Sequence, residues 1–261
     1  MCAGIPTPQP EQTTIAHEKE PNMSDPSQHH PEEDTSHGLL QAEFRVLDGL
    51  PDALAQGIFA TAACYPSVVR LSSAPQLRGM AVKVTVPDGG RMAQQDFVMG
   101  GAPDRRLLGE TYFSQARIHY GDQVAQLCAV SVSRGQAPRR QAGPQGLRDA
   151  FIEHFARHGA EWELRVCLED GAFGWLEDAD RYVAVARIVA RPQPAWSSAL
   201  ARAAGQSVTF SPWQCVDCHR PMGTIARAMR DGYGASARFR SGYGAGNMAE
   251  PYNSEAAAAP N

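Results

Sequence analysis

The sequence predicts an α+β protein, an antiparallel β-sheet curled into a barrel with helices packed outside it and at the C-terminus. Three observations carry this. Polar–apolar alternation of strand type recurs along the chain, strand candidates outnumber helix candidates, and the regular strand–helix succession of a doubly wound parallel sheet is missing.

The first strand candidate is QAEFRVL (41–47), which alternates as a strand with one buried face does. It leads through LDGLPD into DALAQGIFATA, a short helix candidate. SVVRLSS (67–73), GMAVKVTV (79–86) and QDFVM (95–99) follow as strands, the last two joined through PDGG, a natural tight turn. VAQLCAVSVS (124–133), WELRVCLED (162–170) and RYVAVARIVA (181–190) extend the pattern. Between the first two of these, GLRDAFIEHFARHG reads as a helix, with Leu147, Phe151 and Phe155 at spacing four and Gly159 ending it. Pro221 to Arg240 reads as a closing helix that carries arginines at 227, 230, 238 and 240.

Around this body the composition changes. Residues 1–36 are rich in Pro, Glu, Gln, Ser and His with few large apolar groups, and are expected to be disordered. The tail 241–261, beginning SGYGAGNMAE, is expected to be flexible, which leaves one folded domain over 37–240. The 261 residues are 43% hydrophobic and 20% charged, with a net charge of −4, so the chain gives no electrostatic reason to expect a nucleic-acid partner. No run approaches the 18 apolar residues of a membrane span, and the N-terminus lacks the basic start and apolar core of a secretory leader; a cytoplasmic location is the expectation. GGAP and PDGG lack the spacing of a phosphate-binding loop and read as turns.

Several residues are candidates for chemistry. CVDCH (215–219) matches the pattern for covalent haem attachment through two thiols and a histidine, but the chain shows no export route. A thiol redox pair and a zinc half-site are alternatives, and two unmodified thiols are the ordinary reading. Cys64, Cys128 and Cys167 are expected to be core residues. Arg230 and Tyr233, three apart on a helix, could approach one ligand, and a guanidinium beside a tyrosine favours the phenolate that binds ferric haem. Arg70 shares a strand face with Val68 and Ser72; a buried arginine there needs a polar ligand or a carboxylate, whereas an outward one is solvated. Arg78 and Lys83 add positive charge nearby. His154 and His158 have metal-pinching spacing without an evident third ligand and read as a polar helix face. His29 and His30 lie in the N-terminal segment, and His37 immediately precedes the first strand, where it could shuttle protons at a barrel mouth.

The order of the blocks resembles the haem catalase superfamily, specifically its shorter, catalase-related peroxidase type. HGLLQAEFRVLDGLPDALAQGIFA resembles the segment after the catalytic histidine. YPSVVRLSSAP, RGMAVKV and QDFVM resemble three core strands, and TYFSQARIHYGDQVAQLCAVSV the passage beyond them. SPWQCVDCHRPMGTIARAMRDGYGASARFR resembles the closing helix. Together they cover roughly 37–240, and RGMAVK and the closing block are the specific parts.

The resemblance implies a haem-side C-terminal helix, haem b as cofactor, and hydrogen peroxide or an organic peroxide as substrate. It implies Tyr233 as the iron ligand, Arg70 as a propionate contact, and Ser72 as the partner of a distal histidine. It leaves open a homo-oligomer and a degenerate chain without activity. The chain departs from the family pattern at the distal side. Glu33 stands at the histidine position, leaving His30 or His37 for that role, and Gly100 and Gly101 stand where a distal asparagine is expected. Arg105 and Arg106 replace two aromatics. On the proximal side Met229 replaces an arginine, with Arg230 one place on.

Overall fold

The computed structural model describes residues 36–74, 77–102, 108–132, 146–169, 181–195, 208–224, 226, 227 and 230. Eight antiparallel strands close into a barrel. They are β1 (Ser36–Val46), β2 (Cys64–Ala74), β3 (Leu77–Asp88), β4 (Arg91–Gly101), β5 (Thr111–Ser114), β7 (Gln123–Ser131), β8 (Ala160–Leu168) and β9 (Val183–Ala190). Each pairs with the next in that order, β9 pairs with β1, and the pairing of β7 with β8 completes the ring. Two short strands, β6 (Arg117–Tyr120) and β10 (Pro221–Met222), are added outside β7 in the order β10–β6–β7.

Local sequence explains much of this. PDGG closes the β3–β4 hairpin with Asp88 opposite Arg91, and Gly89 and Gly90 take positive φ (51° and 86°), which suits a two-residue connection. The alternation sends Leu40 and Phe44 of β1, Val69 and Leu71 of β2, Met80 and Val82 of β3, and Phe97 and Met99 of β4 into one core. Trp162 and Leu164 of β8 close that core from the opposite wall, both fully buried. The rings of Phe44 and Phe97 stack at 6.0 Å, and Phe59 stacks on Tyr120 at 5.7 Å. The helix α1 (Gly146–Arg157) packs against β1 with Leu147, Phe151 and Phe155 buried, and its last two rings are parallel at 6.0 Å.

Four expectations are corrected. The 52–62 segment is not an α-helix: it turns over Pro51–Leu54 and forms a single 3-10 turn at Gly57–Phe59, because Gly57 at φ 57° cannot continue a right-handed helix. The closing helix does not begin at Pro221, since Pro221 and Met222 pair with Ile118 and Arg117; residues 223, 224, 226, 227 and 230 are helical. Cys64 is exposed at the start of β2, opposite Arg45. His154 is buried, with Nε2 at 3.2 Å from the Gly159 carbonyl, so that side of α1 is not a polar face. The four-residue strands β5 and β6 were too short to stand out by periodicity. No helix among the described residues is long and apolar enough to cross a membrane.

Phe44 touches rings from two other elements and is fully buried. Phe44→Ala is expected to lower unfolding stability by about 3–5 kcal/mol, read from chemical denaturation midpoints.

Candidate functional site

The face of β2, β3 and β4 turned away from the core carries three successive rows. Ser72 stands opposite Gly79, and Gly79 opposite Gly100. Arg70 is likewise aligned with Ala81 and Val98, and Val68 with Lys83 and Asp96. Two rows are floored by glycine, alanine and valine, so the sheet carries few side chains beside one guanidinium and one hydroxyl; Gly79, Val98 and Gly100 are partly exposed and Ala81 is buried. Ser72 Oγ leans over Gly79: a Cβ there would lie 2.5 Å from it.

At the Lys83–Asp96 row the face is covered by residues 208–222. Lys83 Nζ donates to both Asp96 oxygens (2.8 and 2.9 Å) and to Gln214 Oε1 (2.5 Å), while Gln214 Nε2 donates to Gln94 Oε1. The Ser211 N–H donates to Asp96 Oδ2 at 2.9 Å, and the Asp96 N–H to the Gln214 carbonyl at 2.7 Å. Val216 N–H reaches Gln95 Oε1 at 3.1 Å. Phe210 is thereby seated over the sheet, with the Arg70 guanidinium 4.8 Å and the Lys83 ammonium 5.5 Å from its ring centroid. Burial pushes the Asp96 carboxyl up to about 6, opposed by Lys83 and, more weakly, by Arg70.

The second anchor of this segment is His219. Its ring is fully buried, 5.3 Å from Phe59 and 5.1 Å from Tyr120, and Nε2 accepts the Ile58 N–H at 3.3 Å. A nitrogen that accepts carries no proton, so the proton of this neutral imidazole sits on Nδ1. Burial lowers the imidazole to about 4. Gly57 is pressed against the same anchor: a Cβ there would lie 2.4 Å from both Cys218 Sγ and His219 Nε2.

Arg70 points away from the core, and the alternative of an inward arginine is set aside; Val69 and Leu71 take the inward positions. His37 is the extra residue at an irregularity of β1, between Ser36, which pairs with Ser72, and Gly38, which pairs with Leu71. Its backbone therefore runs beside Ser72. Gly100 occupies the site-facing row and Gly101 the inward one, where a Cβ would lie 2.2 Å from the Thr111 carbonyl oxygen. No larger residue fits at Gly101 without moving β5. Arg230 is exposed, with its guanidinium 4.9 Å from the Trp213 ring centroid. His30, Glu33, Arg105, Arg106, Met229 and Tyr233, with most of the N-terminal segment and all of the 241–261 tail, lie outside the described residues.

CVDCH serves as packing. His219 is engaged through Nε2, Cys215 is held up at about 11 by burial, and the Cys218 thiol is raised by burial as well, so neither forms thiolate readily. Among the described residues no group of three or more His, Cys, Asp or Glu side chains is placed to hold a metal ion. The Lys83–Asp96 network and Phe210 went unnoticed in the sequence. One signal was available: in QDFVM the alternation sets Asp96 on the face of Val98, opposite the core residue Phe97.

Gly57→Ala is expected to cost about 2–4 kcal/mol, from left-handed strain plus the clash with His219, read from thermal or denaturant unfolding. His219 titrates with a folded value of about 4 against 6.5 when unconstrained, so the unfolded chain takes up the proton first. Its contribution is full above pH 6.5 and falls by about 3 kcal/mol as the pH drops towards 4. Asp96 acts in reverse, its contribution present below 3.8 and lost as the pH rises through about 6. Subtracting the pH–stability curve of His219→Gln from that of the parent isolates the histidine: the difference should slope upward with pH between 4 and 6.5.

No protein-family model matches the sequence, and no curated protein sequence matches it. Among solved structures the chain is similar to one described as "Structure of a bacterial catalase", with a TM-score of 0.58 and 10% sequence identity. The match covers 82% of this chain and 58% of that one, so the chain spans less than two thirds of the catalase. At this identity the likeness concerns architecture, and it makes the fold a catalase-like α+β barrel.

Proposed function

We propose that the chain is a haem-dependent, catalase-like protein acting on hydrogen peroxide or an organic peroxide, with peroxidase-type turnover in place of rapid disproportionation. The observation that carries the reading is the β2–β4 face. A guanidinium and a hydroxyl two residues apart flank a floor of Gly79, Ala81, Val98 and Gly100.

That floor fits a flat macrocycle with carboxylate substituents: small residues allow close approach, and Arg70 offers a fixed cation for a propionate. The cavity beneath the closing segment, with a volume of about 30 Å³, does not fit haem and is not the place for it. Bound haem would supply redox-active iron, with Tyr233 as its ligand in this reading.

The chain's own part is binding and proton handling. Arg70 neutralises a propionate carboxylate. The Ser72 hydroxyl orients an imidazole, that of His37 or His30, which takes a proton from one peroxide oxygen and delivers it to the other. Gly100 has no side-chain amide with which to hold peroxide during that transfer, and for this reason the reading favours slow turnover. Substrate partners and any homo-oligomer belong to the same proposal.

One observation favours a second reading, a barrel that has lost its chemistry: Arg70 is already stacked on Phe210. The two are separated by the absorbance spectrum of the full chain expressed with haem precursor, before and after extraction with acidified solvent. The first reading expects a Soret band that extraction removes, that survives replacement of Cys215 and Cys218 by Ser, and that shifts or vanishes in Tyr233→Phe. A folded, colourless protein overturns it. In a coloured protein, replacing the proton-carrying histidine by Ala should slow peroxide consumption on the order of 10²-fold; His37→Ala and His30→Ala made separately identify which one it is.

A further inference from the structure

We infer that the cavity between β4, the β5–β6 stretch and the closing segment is a binding site for internal water, with one or two molecules held by His219 and Ser114. The site does not depend on the haem reading, although Val98 belongs both to its wall and to the β2–β4 floor.

Three features build it. The first is an orphaned donor. His219 lines the cavity and is fully buried, its Nε2 is engaged by the Ile58 N–H, and its Nδ1 makes no well-aligned hydrogen bond, although the backbone of His119, Gln56 and Cys218 lies close enough to the ring to favour its protonated form. Because Nε2 accepts, Nδ1 carries the proton, and a buried N–H without an acceptor is costly enough that native folds nearly always supply one. The second is a matching hydroxyl. Ser114 also lines the cavity, and its Oγ accepts the Leu127 N–H at 3.1 Å, which leaves its own proton to donate. The third is size. The volume of about 30 Å³ exceeds the 10–15 Å³ or so that one water requires and falls far short of an organic ligand.

Water satisfies all three together. Its lone pairs can accept from His219 Nδ1–H and from the Ser114 hydroxyl, and its protons are left for acceptors of the wall or for a second water. The wall also contains Val98, Met99 and Ile118, so the alternative is a dry apolar void. Dry cavities of that kind take up xenon, and hydrated polar ones do not.

The deciding experiment is a high-resolution crystal structure of the full chain with a parallel crystal under xenon pressure. The expected result is a solvent peak within hydrogen-bond distance of both His219 Nδ1 and Ser114 Oγ, with no xenon among Val98, Met99 and Ile118. A xenon peak there, or a cavity without a solvent peak, overturns the inference. In solution, nitrogen-15 spectra of the histidines should show His219 protonated on Nδ1 at neutral pH, with cross-relaxation between that proton and water. Protonation on Nε2, or the lack of any transfer to water, overturns it equally.

Discussion

The covered end of the site rests on one buried ion pair, Lys83 with Asp96. Both side chains are nearly inaccessible, and charges taken out of water are costly unless every lone pair and proton is engaged. Here they are engaged by residues distant in sequence: Ser211 and Gln214 complete the carboxylate and the ammonium. The pair therefore requires the closing segment as much as the segment requires the pair. Removing one partner leaves an uncompensated charge under Phe210 and loosens the cover over Arg70 in the same step. A buried pair of this kind adds little net stability, but it sets where the segment lies on the sheet.

The opposite end of the same face is built by omission. Gly79 and Gly100 leave the sheet bare beside Ser72, and Gly101 is held to its identity by the Thr111 carbonyl. The last contact explains why the pair of glycines cannot be read simply as a deleted asparagine. Gly101 is a packing requirement of the β4–β5 pairing, whereas Gly100, on the other face, is where a side chain could reach the site. Of the two glycines, only Gly100 lies on the face that carries Arg70 and Ser72.

Much of the barrel was legible in the sequence because burial on one face imposes a period of two. Seven long strands and the helix with Phe151 and Phe155 announced themselves in this way. The short strands β5 and β6 offered only four residues each, too few for a period to register. The 52–62 stretch carried helix-forming residues, yet a single positive φ at Gly57 overrode them. On the site, Arg70 and Ser72 could be assigned to one face from alternation alone. That the face is covered by Phe210 and pinned through Asp96 could not, since those contacts join residues more than a hundred positions apart. His219 shows the same limit: its motif suggested ligation, and only the approach of Ile58 shows the nitrogen to be occupied.

The ring closure between β7 and β8 also governs how the sheet meets other molecules. A sheet that closes on itself offers no long row of unpaired backbone groups to a neighbouring molecule. The outermost added strand, β10, is two residues long and begins with proline, which has no N–H to donate. This architecture resists edge-to-edge aggregation by geometry, independently of what the site on its flank does. Such a barrel can accept change among its site residues without opening an edge, a latitude that an open sheet of the same composition would not have.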